Sequence, residues 1–231
     1  MVLWITCTTM YPVVAEQVTM DGVKEKSPQE VIDDYIQSVG GVEKINEIKT
    51  LVTVMEAEIQ GMSIEMSTSR DLEKKRLMQQ TVMNGNVMQK TVVKDGEGYM
   101  SAMGQTQTLE GDQLETISTQ LYAFPEIYYE DLGFELEMGE VEEIEGEQAY
   151  TLIVTTSQGL ETKEYYSVET GLKLMISSEV AGDILFSNYE EVEGIKFPMK
   201  MSITNPMLPV PMEAEVIAVQ INESLDDSLF Q

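Results

Sequence analysis

"LVTVMEAEIQGMSIEMSTS" (residues 51–69) alternates apolar and polar residues on both sides of a single glycine. Leu51, Met55, Ala57 and Ile59 fall on one face of an extended segment. Beyond Gly61, Met62, Ile64 and Met66 alternate with Ser63, Glu65 and Ser67. A period of two is the pattern of a strand with one buried face. Two such runs across one glycine predict neighbouring antiparallel strands. The apolar residue chosen is unusual, because methionine is flexible and specifies packing poorly. The chain nevertheless carries 17 Met against 5 Phe and 1 Trp.

The alternation continues outward from this stretch. Strands are predicted over 77–83, 87–93 and 99–103, separated by Asn84-Gly85-Asn86 and Asp95-Gly96, both strong hairpin signals. After Gly133 they resume over 134–144, 148–155, 162–168, 172–177, 184–189, 197–204 and 212–221. Upstream, Ser27-Pro28-Gln29-Glu30 is a capping box with proline at the first helical position. Val31, Tyr35, Ile36 and Val39 then mark a helical stripe that Gly40-Gly41 ends, and a short second helix follows over 42–48. Mid-chain, Asp112-Gln113-Leu114-Glu115 reads as another capping box, with Leu114, Ile117 and Leu121 on one helical face and Phe124-Pro125 as the stop.

The fold class is mainly β (α+β). One curved antiparallel sheet of about eleven or twelve strands, counted by the hairpin rules, forms an incomplete β-barrel, with the helices as plug or lid. Residues 27–231 are expected to form this single domain, and residues 1–26 a leader or linker. "MVLWITCTTMYPVVA" (residues 1–15) is mildly apolar, but no Lys or Arg precedes the apolar run and Pro12 interrupts it. A linker or strand from a longer polypeptide is the preferred reading over an export signal.

Composition excludes several chemistries. There are 41 acidic and 14 basic residues, a formal net charge of −27, which repels nucleic acid and anionic headgroups. No histidine is present, which removes His-based acid–base catalysis, Ser-His and Cys-His nucleophiles and most zinc sites. The single Cys7 has no internal disulfide partner. No apolar run is long enough to span a membrane. "GEVEEIEGE" (residues 139–147) reads as a strand end and hairpin with its charges in water, not a metal site. Arg70, Lys74, Lys75 and Arg76 read as a basic strand end that balances local acid. No catalytic residue, metal ligand or cofactor is assigned.

The methionines carry the one functional signal. Met55, Met62, Ile64 and Met66, together with Phe197, Met199 and Met201, direct long, soft side chains to one side of their strands. Inside a curved sheet they would line an adaptable apolar surface suited to an acyl chain. Leu114, Ile117 and Leu121 would be the lid face. The competing reading is that methionine fills gaps in a packed core.

The helix, the strand runs and the mid-chain helix resemble the periplasmic lipoprotein-carrier superfamily typified by LolA. A closer resemblance is to the carrier-like domain at the C-terminus of insulinase-type zinc peptidases of Bacteroidetes. It is carried by "VIDDYIQSVGG" (31–41), "EIKTLVT" (47–53), "GMSIEM" (61–66), "FPEIYY" (124–129), "EYYSVETGLK" (164–173), "YEEVEGIKFPMKM" (189–201) and "DDSLF" (226–230). The resemblance implies a half-barrel that shelters a lipid or lipoprotein acyl chain in the periplasm or cell envelope. It also implies, as the alternative, an accessory domain serving a zinc peptidase module or envelope protein by docking or substrate presentation. The peptidase motif H-x-x-E-H is absent, so proteolysis does not carry over. No arginine here sits in a motif matching the carriers' lid-locking arginine.

Overall fold

A computed structural model describes residues 22–59, 61–179, 181–205 and 210–231. Ser27 caps the first helix, α1 (Pro28–Val39), and its backbone N–H donates to the Glu30 carboxylate at 2.8 Å, completing the box read in the sequence. Gly40 stops the helix at φ +138°, where a Cβ would lie 2.6 Å from the Gly194 carbonyl oxygen. Any side chain there would displace the neighbouring turn. Helix α2 (Val42–Asn46) follows. Ser27→Ala is expected to cost about 1 kcal/mol, measured as a lower midpoint in urea with an unchanged slope.

The first run of strands is β1 (Thr50–Ile59), β2 (Met62–Asp71), β3 (Arg76–Met83), β4 (Asn86–Lys94), β5 (Glu97–Ala102) and β6 (Gln105–Leu109). Helix α3 (Gly111–Thr119) and a 3-10 turn (Pro125–Tyr128) interrupt it. Then come β7 (Glu135–Met138), β8 (Glu142–Ile144), β9 (Glu147–Thr155), β10 (Glu161–Ser167), β11 (Lys173–Ser178), β12 (Gly182–Val192), β13 (Ile195–Thr204) and β14 (Met212–Ile221). Among the described residues these make one 14-stranded antiparallel sheet in the order β6-β5-β4-β3-β2-β1-β14-β13-β12-β11-β10-β9-β7, with β8 also on β9. The end strands do not pair with each other, so the sheet stays open.

Two features raise the strand number above the sequence expectation. β6 is a polar edge strand, exposed at four of its five residues, with no alternation to reveal it. The predicted strand over 134–144 is two strands, both paired with β9, with Gly139 between them at a point where a Cβ would meet the Thr151 side chain at 3.0 Å. Helix α3 also differs. Its N-cap is Glu110, without a side-chain cap bond, so the Asp112 box is not formed. Leu109, buried opposite Gly98, fixes the end of β6, and the helix starts at once. It ends at Thr119, which leaves Leu121 beyond it.

The faces of the sheet do different work. On the inner face α1 buries Val31, Ile32, Tyr35, Ile36 and Val39 against Leu51, Leu152, Tyr166, Ile195 and Phe197. Each fully buried side chain of this kind stabilises by roughly 1.5–3 kcal/mol, which anchors α1 firmly. On the outer face a small second cluster joins Met78 and Val92 to Phe230 of the C-terminal 3-10 turn (Asp227–Phe230). The residues expected to be a leader or linker, 1–26, lie mostly outside the described residues. Of the last of them, Val23 is buried in the main core and the Lys24 carbonyl accepts from the Tyr150 hydroxyl at 2.8 Å.

Candidate functional site

The strand register sorts the inner face into rows. Leu51, Arg70, Leu77, Val93, Gly98 and Leu109 stand opposite one another across β1 to β6. The next row is polar: Thr53, Thr68, Gln79 and Thr91, running on to Met100 and Gln107. Beyond it come Met55 with Met66, Ala57 with Ile64 and Met83, and Ile59 with Met62. On the other side, Ala214 of β14 stands between Ala57 and Met201, and Met212 is opposite Ile203.

All seven residues of the expected lining are therefore on one face. They fall in two zones. Phe197 belongs to the packed core, its ring 5.8 Å from that of Phe124, and Met199 packs against that core. Met55, Met62, Met66 and Met201 are half-buried and stand outside both core clusters, with Ile64 buried among them.

Helix α3 covers the neighbouring part of this face with a light attachment. None of its residues is buried. Leu114 rests on Gly98, where a Cβ would come within 2.7 Å of the leucine Cδ1. Polar bonds do the rest: Thr116 donates to Gln158 at 3.1 Å, and Ser157 donates to the Glu115 carboxylate at 3.0 Å. At the helix end, Arg70 Nε donates to the Gln120 carbonyl at 3.0 Å and Gln79 donates to the Gln120 side chain at 2.8 Å. Two grooves flank the helix. One of about 290 Å³ is lined by Leu77, Val93, Leu121 and Tyr122; the other, of about 450 Å³, by Met100, Leu109, Ile117 and Leu160. Of the three lid residues, Leu114 touches the sheet, and Ile117 and Leu121 line separate grooves. An element held by exposed hydrogen bonds and half-buried side chains is drawn from the low-stability end of a fold.

The basic cluster splits between the two faces. Arg76 pairs with Asp71 at 2.7 Å and with Asp227 at 2.9 Å, and Lys74 reaches Asp227 at 3.3 Å. The charge-balancing reading holds for these two. It fails for Arg70, which pairs with no carboxylate among the described residues and projects to the inner face opposite Leu51 and Leu77. Burial lowers its pKa to about 10.

A buried ionic network ties the Pro125–Tyr128 turn to the sheet. Lys173 contacts Glu126 and lies 2.9 Å from Glu164. The Tyr129 hydroxyl donates to Glu164 at 2.7 Å, and the Tyr166 hydroxyl donates to its other oxygen. The Lys173 ammonium stands over the rings of Tyr35 and Tyr166. Burial pushes the Glu126 carboxyl above the usual range despite Lys173, and its Oε2 is sealed without a partner. Burial also acts against ionised Glu164, but the Lys173 charge and the bonds from both tyrosines hold it below the usual range. The sequence reading missed this network. Apart from Glu126 Oε2, its polar groups are partnered within the network, which marks it as structural.

No family model and no curated protein matches the chain. Solved structures do. A DUF1329 family protein from Desulfovibrio piger matches with 14% identity and a TM-score of 0.59, over 89% of this chain and 98% of that one. A LolA superfamily protein from Nitrosomonas europaea matches with 9% identity and a TM-score of 0.58, over 90% and 98%. The fold is LolA-like. A domain assigned to outer membrane lipoprotein sorting from Vibrio parahaemolyticus agrees, with 11% identity and a TM-score of 0.56 over 88% and 97%. At these identities the likeness establishes the LolA-like architecture, an open sheet with helices on one face.

Proposed function

We propose that this chain is a non-catalytic, carrier-type domain of the cell envelope that holds a lipid or lipoprotein acyl chain. The chain would lie along the Met-rich zone of the inner face, beside and beneath α3. The observation that carries the reading is the half-buried state of Met55, Met62, Met66 and Met201 on one face, outside either packed cluster. Soft thioether side chains repack around ligands of varied shape, and a lightly attached helix gives such a ligand a way in. The LolA-like neighbours, one a lipoprotein-sorting domain, lend support.

Native mass spectrometry of protein purified without detergent tests this. A stoichiometric acyl-bearing adduct is expected. Met66→Asp places a charge in the acyl path and should weaken binding of a fluorescent acyl probe by roughly tenfold or more. An unchanged affinity would remove the Met zone from the site. A second reading, an accessory domain docking on a zinc peptidase module, draws on the motif resemblance and on β6, whose outer edge is unpaired among the described residues. Co-purification with such a module, without an acyl adduct, would favour it.

A further inference from the structure

Arg70 is the least explained charge in the molecule. In a chain with 41 acidic residues, Lys173 and Arg76 each contact two carboxylates, whereas Arg70 contacts none among the described residues. A half-buried guanidinium gives up part of its hydration without a counter-charge to offset the loss, so its retention needs a reason. One of its five donors serves the Gln120 carbonyl. The two terminal nitrogens have no partner among the described residues. They are also absent from the sealed, unpartnered atoms, which are Arg76 Nε, Tyr99 OH, Glu126 Oε2 and Thr151 Oγ1. They therefore open onto accessible space.

The position is as telling as the missing partner. Arg70, Thr68, Met66, Ile64 and Met62 share the inner face of β2 in steps of two. The hydroxyl-bearing row of Thr53 and Thr68, with Gln79, comes next to Arg70. One line thus runs from a fork of cationic donors, through neutral hydrogen-bonding groups, to methionines. The eight residue steps from Arg70 to Met62 span roughly 27 Å, against the ~15 Å that the chains of one leaflet occupy.

Resting on the carrier reading, we infer that the ligand is an anionic amphiphile: Arg70 takes its carboxylate or phosphate group, and its chain extends over Met66, Ile64 and Met62. A guanidinium fork matches such oxyanions in bidentate fashion. The overall charge of −27 opposes anions at long range. That field is screened within about 8 Å at physiological salt, and the contact at Arg70 is local.

The test compares hexadecanoate with hexadecan-1-ol, which differ only in the head, by calorimetry at physiological salt. Wild-type protein should prefer hexadecanoate by about tenfold or more. In Arg70→Gln the preference should collapse to near unity, with the alcohol's affinity kept within about twofold. Arg70→Lys keeps the charge without the fork and should retain part of the preference. A role confined to clamping α3 would instead move both affinities together, and that result overturns the inference. Equal wild-type affinities overturn it too, while leaving the carrier reading intact. Binding of neither amphiphile sinks both. If inorganic phosphate alone saturates Arg70 and hexadecanoate gains nothing over the alcohol, the site serves a free anion and the amphiphile inference fails.

Discussion

Lys173→Met is expected to destabilise the domain by about 3–5 kcal/mol at neutral pH, the usual cost of stripping one partner from a buried ion pair. Glu126 and Glu164 would then share a dry site without a cation, and the Tyr129 and Tyr166 hydroxyls satisfy only Glu164. The pH response should separate variant from wild type. In wild type, burial lowers the Lys173 pKa but the two carboxylates outweigh it and raise the value. Its contribution is therefore full below the ordinary lysine pKa and is lost as the pH climbs through the higher folded value. Glu164, held low, contributes above the ordinary carboxylate pKa and loses that contribution as the pH falls through its folded value. In the variant both carboxyls are pushed up by burial and by each other. Their ionisation then costs stability, and the cost disappears on acidification. The deficit against wild type should shrink steadily from pH 7 toward the ordinary carboxylate range. Urea midpoints across that range read it directly, and a deficit independent of pH would mean lost packing alone. Glu126→Gln is the contrast. It removes an ionisation that burial already disfavours and should cost no more than about 1 kcal/mol.

What the sequence made legible follows from where each interaction sits along the chain. The alternation over residues 51–69, the Ser27 box and the hairpins are local. Asn84-Gly85 and Asp95-Gly96 turn with φ of 49° and 78°, and 53° and 77°, the left-handed pairs that Asn-Gly and Asp-Gly favour. Met103-Gly104 adopts nearly the same pair, 51° and 79°. It went unread because Gln105–Leu109 lacks a buried face to alternate. The ionic network was illegible for another reason. Its members come from a turn, β10 and β11, and no local pattern joins them. Arg70 lies between these cases. Charge clustering grouped it with Lys74 and Arg76, yet strand parity separates them: Arg70 shares the parity of Met62, Ile64 and Met66, and Arg76 pairs on the other face opposite Asp71. Counting residues from the Met stripe would have placed it at the candidate site.

Phe230→Ala should cost about 3–5 kcal/mol, the range for truncating a fully buried phenylalanine, and yet leave ligand affinity untouched. The Phe230 ring is fully buried against Met78 and Val92, with the Arg76 guanidinium 4.2 Å from its centroid. Around it, Asp226 accepts from the Ser228 amide at 2.8 Å, and Lys90 reaches the Gln231 carbonyl at 2.7 Å. Together with the Arg76 and Lys74 pairs to exposed Asp227, these surface contacts should contribute less than burial of the ring. Its loss should release the C-terminal turn and lower the melting temperature by roughly 10 °C. The strand pleat then decides what happens to function. Met78 and Val92 point outward, whereas their neighbours Leu77 and Val93 point inward beneath α3. The ligand zone and the Phe230 cluster thus share backbone but no side chains. Sites without shared partners add independently, so acyl-probe affinity measured well below the lowered melting temperature should match wild type. A fall in affinity alongside the melt would mean that the outer cluster sets the curvature of β3 and β4, and through it the width of the inner face.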